Sequence, residues 1–329
     1  MNAPRRPRGR ACGLLVLVAL LSGCAVQRPT LRSLPVAGIP QQVELTGTPF
    51  FPQSDYQCGP AALATVLAAS GVATTPDALV PKVYLPGRKG SLQLELVAAA
   101  RQFDRVAYVL EPDFAQLVAE VAAGRPVLVL QNLGVAAYPI WHFAVVVGYD
   151  REAERLLLRS SKTERLTMSV RRFLGTWARA ERWALVLLQP GQAPVRPEPV
   201  RYMTAAAALE ATGRLDAAGA AYAKGRELWP ESALPVLGVA NIALARGDAR
   251  AAIQAYYEAL LKDPGNVVAR NNLAEALGEL GCVAEARQEA HRALALARDT
   301  PLATTVSTTV ARLDAQPAPA TSPSACLSR

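Results

Sequence analysis

The chain has 329 residues, 51% hydrophobic and 19% charged, which suits two modest packed domains and excludes a globally disordered polypeptide. The formal charge of +8 is partly local: Arg5, Arg6, Arg8 and Arg10 lie in the first 23 residues, and 35 Lys+Arg less these four leaves 31 against 27 Asp+Glu. With no long basic run and no aromatic–basic interleaving, nucleic acid is excluded as a partner.

The basic stretch Arg5–Arg10, the apolar run Leu14–Leu21 and the small residues after it have the layout of a secretory signal, and the apolar core is too short to span a membrane. Leu21-Ser22-Gly23-Cys24 resembles a bacterial lipobox. That resemblance implies loss of residues 1–23, lipidation of Cys24 and anchoring in the cell envelope by more than one acyl chain. Ala25 stands where the usual retention Asp would be, so the expected place is the outer membrane, facing the periplasm. Cys12 leaves with the signal. Cys58, Cys282 and Cys326 remain, without metal-like spacing. A Cys282–Cys326 bridge that leaves Cys58 free stays open.

Residues 24–45, rich in Pro, Gln and Thr, read as a tether. From 46 to 190 the pattern predicts a helix from Cys58 to Ala69 closed by Gly71, a second from a Ser91 cap to Gln102, a strand at Arg105–Leu110 and a helix at Asp113–Ala123 ending at Gly124. The apolar runs Pro126–Leu130 and Phe143–Val147 predict buried strands. Leu156–Leu158, a piece near Leu166–Ser169 and Ala184–Leu188 complete a sheet. Helices first and a largely consecutive sheet afterwards give an α+β domain. The Pro/Gly/Gln-rich stretch 191–199 reads as a linker.

A period of 34 follows. Gly213, Gly247 and Gly281 obey it, as do Ala218, Ala252 and Ala286, and Ala206, Ala240 and Ala274; Tyr222 pairs with Tyr256 and Pro230 with Pro264. Small residues let paired helices approach, glycine makes the turn and proline closes each unit. These offsets resemble the tetratricopeptide repeat, three units over 200–300, in an all-α domain whose groove is expected to take a peptide or protein partner. The Thr/Ser/Pro/Ala-rich tail, 301–329, is expected to be disordered.

The chemistry concentrates at Gln53-Ser54-Asp55-Tyr56-Gln57-Cys58-Gly59-Pro60-Ala61. A thiol at the mouth of an apolar helix meets unpaired N–H groups and the positive end of the dipole, which favour thiolate. Pro60 suits a first turn, and Gly59 leaves room for substrate backbone. The chain has two histidines. His291 falls in the repeats, whereas His142 opens a buried strand after Trp141, a rigid place from which an imidazole can face that helix. One Cys at a helix mouth and one His on a later strand form the pair that thiol catalysis needs.

The segments Gln53–Leu67 and Trp141–Tyr149, with Gly124-Arg125-Pro126 and Ser169–Trp177, resemble the bacteriocin-processing (double-glycine) cysteine peptidases, cysteine-peptidase family 39, over roughly residues 48–188. The resemblance implies a papain-like fold with Cys58 as nucleophile, His142 as general base and then acid, and Gln53 as oxyanion donor, with Gln57 the rival. The family's Asp on the strand after His is replaced: Ser160 falls nearest that slot, and Asp150 is the other candidate. No zinc, nucleotide or haem motif is present, so no cofactor is implied. The expected function is a lipid-anchored, periplasm-facing cysteine peptidase. The alternatives are a catalytically weak peptide-binding or assembly lipoprotein and a papain-like acyltransferase.

Overall fold

The computed structural model describes residues 29–34, 38–53 and 57–317. The segment read as a signal (1–23), Cys24 and Cys326 lie outside the described residues. Seven strands form one antiparallel sheet: β1 (Gln42–Glu44), β2 (Val106–Val109), β3 (Val127–Asn132), β4 (Trp141–Asp150), β5 (Arg155–Ser160), β6 (Thr163–Ser169) and β7 (Ala184–Leu188). Their order is β2-β7-β3-β4-β5-β6. β3 pairs with Trp141–Val146 of β4, and β1 pairs with Gly148–Asp150 farther along it. Gly148 is required there, because a Cβ would stand 2.4 Å from the Val43 carbonyl oxygen.

Strand alternation sorts the core into two layers. Leu128, Leu130, Phe143, Val145 and Val147 face the helices α1 (Cys58–Ala69), α2 (Pro76–Val83) and α3 (Gln93–Arg101). Val127, Val129, Ala144 and Val146 face α4 (Phe114–Ala122) and α5 (Val170–Ala178) on the other side. α1 is apolar all round and buried from Gly59 to Leu67, as a helix pressed between sheet and neighbours must be. It ends before Gly71, whose φ of +89° suits glycine. The carboxylate of Asp113 accepts from the Ala115 N–H to cap α4, and the Ser169 hydroxyl does the same for Arg172 and α5.

The repeats are α6 (Pro199–Glu210), α7 (Leu215–Leu228), α8 (Ala233–Ala245), α9 (Ala249–Lys262), α10 (Val267–Glu279) and α11 (Val283–Ala297). Gly213, Gly247 and Gly281 turn each pair with φ of +73°, +77° and +79°. The six period-34 alanines are fully buried where the helices meet. The first helices of successive units touch one another, and each second helix packs on the first helix of the next unit.

Three expectations need correction. Part of the 24–45 tether is docked: Leu31 is fully buried, the Leu31 and Arg32 N–H groups donate to the Glu154 carboxylate, and β1 joins the sheet. The 301–329 tail is not wholly disordered, because α12 (Ala303–Asp314) buries Val306, Val310 and Leu313 along one face. Ser91 does not cap α3, whose N-cap is Leu92. The sequence reading also omits α2, which carries Pro81 inside it and starts from a Thr75 cap.

Residues 191–198 do not hang free. Gln116 Nε2 donates to the Arg196 carbonyl, the Val195 N–H donates to the buried Glu120 carboxylate, and the Glu198 N–H donates to Tyr108 Oη. Tyr202, Met203, Ala206 and Leu209 of α6 join the same apolar cluster as Tyr108, Leu117 and Val129. The sheet and the first repeat share one core.

Candidate active site

Cys58 is the first residue of α1, and the preceding Gln57 offers no side-chain cap. The first-turn N–H groups are therefore left for the sulfur. Burial pushes the Cys58 thiol above its ordinary 9.0, while the nearby main chain of Phe143, Gly59 and Cys58 itself pulls it down. The net direction is up, against the thiolate that helix position alone predicts. Burial likewise pulls the His142 imidazole below its ordinary 6.5. Both groups thus rest in their neutral forms.

Three side chains converge on the start of β4. Cys58, His142 and Phe143 line the same cleft, and the Phe143 main chain is among the groups that lower the Cys58 thiol. Gln53 Nε2 donates to the Phe143 carbonyl at 3.4 Å, a long and weak bond that leaves the amide able to turn. His142 Nε2 shares a 2.9 Å hydrogen bond with Ser160 Oγ at the end of β5. Ser160 is buried and orients the ring where a carboxylate is expected. Asp150 does not: it ends β4 eight residues beyond His142, roughly 26 Å along an extended strand. Its carboxylate instead accepts from Gln42 Nε2 at 2.7 Å and the Ala153 N–H at 2.9 Å.

Gln53, Cys58 and His142 line one cleft of about 680 Å³, together with Ser91, Trp141 and Lys162. Gln57 does not line it. The loop around the short 3₁₀ turn Pro86–Arg88 forms one wall, with Lys89 held at φ +47°. Every lining residue lies between 53 and 181, so the repeats contribute nothing to the cleft wall. The room expected over Gly59 is filled, since a Cβ there would sit 2.3 Å from Ser91 Oγ. Ser91 Oγ is buried without a hydrogen-bond partner. Sequence reasoning missed this close approach and the effect of the Phe143 main chain on the thiol, which no residue-type pattern announces.

The Peptidase_C39 like family matches residues 38–184, and the tetratricopeptide repeat matches 243–307. The N-terminal domain is C39-like. Its helices and antiparallel sheet precede an all-helical repeat region. Similar solved structures include a C39-like peptidase from Bacillus anthracis, at 18% identity and TM-score 0.39 over 46% of this chain and 98% of that one. The peptidase domain of Streptococcus ComA, a bifunctional ABC transporter involved in quorum sensing, is 21% identical with TM-score 0.36 over 43% and 98%. On the repeat side, the Yersinia enterocolitica type III secretion translocator chaperone SycD is 22% identical with TM-score 0.33 over 34% and 81%. No curated protein matches the chain. Of the other cysteines, Cys282 is disulfide-bonded and Cys58 is a free thiol. Among the described residues no cluster of His, Cys, Asp or Glu could hold a metal, and no helix is long and apolar enough to cross a membrane.

Proposed function

We propose that the C39-like domain is a cysteine peptidase acting from the cell envelope on a polypeptide, with Cys24 as lipid anchor and the repeats as a recruiting surface for a partner or substrate. The observation that carries this reading is the convergence of Cys58, Gln53 and, through His142, Ser160 on two consecutive residues of β4. In the forward step His142 Nδ1 takes the thiol proton as the sulfur bonds to the scissile carbonyl carbon. The carbonyl electron pair moves to oxygen, where Gln53 Nε2–H can donate once it leaves the Phe143 carbonyl. Collapse expels the amine, which takes the proton from His142, and leaves a thioester on Cys58. Water then attacks with His142 as base, releasing the acid and restoring the thiol. No cofactor enters these steps.

The test is digestion of a proteome-derived peptide mixture by the full chain, with new termini read by mass spectrometry. New termini that vanish with Cys58→Ala and fall at least a hundredfold with His142→Ala are expected for a nucleophile and its base. Products capped by an added amine in place of water would assign the acyltransferase chemistry instead. The substitution of Ser160 for a carboxylate favours a second reading, a peptide-binding module of weak activity; intact peptides retained by the protein, without new termini, would select it.

A further inference from the structure

The β3–β4 hairpin, residues 133–141, is apolar and turned outward. Leu133, Val135, Tyr138, Ile140 and Trp141 are 42%, 60%, 80%, 61% and 54% exposed, and the segment contains no charged residue. These five are a third of the fifteen large hydrophobic side chains exposed among the described residues, gathered in nine positions and not scattered as surface hydrophobics ordinarily are. The hairpin is also built to hold its shape. The Leu133 N–H donates to the Ile140 carbonyl at 2.8 Å, and Val135 and Tyr138 exchange main-chain bonds at 3.3 and 3.2 Å. The buried Asn132 side chain accepts from the N–H groups of Gly134 and Ile140, both at 3.0 Å, and Arg179 donates to the Asn132 carbonyl at 2.9 Å. The backbone satisfies itself at the base and tip, leaving a preorganised apolar surface.

This surface is continuous with the catalytic cleft, because Trp141 lines the cleft and His142 is the next residue. The leaving amine takes its proton from His142, so the residues that follow the cut bond leave the cleft beside His142, and the hairpin is the apolar surface that adjoins that point. Leu31, near the start of the described residues, is held by Glu154, in the turn beyond the opposite end of β4. The ten residues of β4 separate the two by about 33 Å, whereas the cleft adjoins the hairpin directly, so the substrate is its fitting occupant. We infer that residues 133–141 seat the segment that follows the scissile bond, and that this enzyme selects polypeptides whose residues after the cut are aliphatic or aromatic. The inference rests on the peptidase reading.

The experiment uses the same proteome-derived peptide mixture and the purified full chain, comparing wild type, the triple variant Val135→Ser/Tyr138→Ser/Ile140→Ser, and Tyr138→Phe. The expected result is enrichment of apolar residues in the first few positions after the wild-type cut. The triple variant loses that enrichment, with kcat/KM on one representative peptide falling roughly tenfold for each apolar side chain removed, chiefly through KM. Tyr138→Phe keeps the preference, and thermal midpoints establish that all three proteins are folded. Cys58-dependent cleavage with no apolar preference after the cut, or a preference untouched in the triple variant, overturns the inference while the peptidase reading stands. Absence of Cys58-dependent cleavage removes both. Binding to phosphatidylethanolamine/phosphatidylglycerol vesicles, or a dimer in sedimentation velocity, that the triple variant abolishes without altering cleavage preference would assign the hairpin to a membrane or to a second copy, and overturns it too.

Discussion

His142 takes its orientation from a hydroxyl, and a hydroxyl brings no charge to an imidazolium. Combined with burial, which moves both Cys58 and His142 toward their neutral forms, this makes the resting pair a thiol and a base. The pH dependence follows. On the peptidase reading His142 must be neutral to accept the proton, and burial lowers its titration from 6.5, so kcat/KM is expected to hold into mildly acidic solution and to fall only as His142 protonates. Iodoacetamide alkylation of Cys58 continues to rise through and beyond pH 9.0, since the thiol ionises above that value; a plateau established below pH 7 would refute the neutral resting pair. Ser160→Asp is expected to move the acid limb of kcat/KM upward, because a carboxylate beside Nε2 favours the protonated ring. Ser160→Ala is expected to lower kcat/KM by about ten- to a hundredfold through loss of ring orientation. Gly59→Ala makes a separate prediction at this scale. The added methyl meets Ser91, so the 84–92 loop must shift, at about 1–3 kcal/mol of stability readable in urea unfolding, with slower Cys58 alkylation as the wall moves.

Among the elements, α12 is the clearest case of structure decided by a few apolar residues in a polar setting. Leu313 is fully buried and lies 2.9 Å from where a Cβ on Gly278 would be, so it closes the exposed side of α10. Leu313→Ala is expected to cost about 2–5 kcal/mol, measured as a lower urea midpoint. Removal of residues 301–329 should uncover Leu277 and Ala290 and promote concentration-dependent association in sedimentation velocity. The sequence made the long periodic elements legible: the period-34 spacing located the repeat turns, and Ala184–Leu188 was readable from its apolar run. It concealed elements whose stability comes from elsewhere in the chain. β1 has three residues, below any periodicity, and exists because β4 and Gly148 accept it. α2 contains a proline that argues against a helix locally. At the site, Cys58, His142 and Gln53 stood out by residue type and setting, but choosing Ser160 over Asp150 needed the β4–β5 register, which brings Ser160 beside His142 and sends Asp150 to the far end.

Across the whole molecule, the core that Tyr108, Leu117 and Val129 share with Tyr202 and Leu209 leaves no hinge between sheet and repeats. Arg201 pairs with Glu111, and Arg214 lies 3.7 Å from Asp104 along the same seam; such exposed pairs contribute little beside the apolar packing. Tyr202→Ala should cost about 3–5 kcal/mol by analogy with other buried aromatic truncations, and calorimetry is expected to show the sheet and the first repeat melting together in the wild type and apart in that variant. A junction of this kind has a thermodynamic consequence. The shared core couples the opening of the sheet to that of the first repeat, so a partner that grips that repeat in its native form is expected also to protect the sheet that carries Cys58. At a hundred times its dissociation constant such a partner adds about 2.7 kcal/mol to the unfolding free energy, and the melting of the C39-like half becomes a reporter for ligands it never touches.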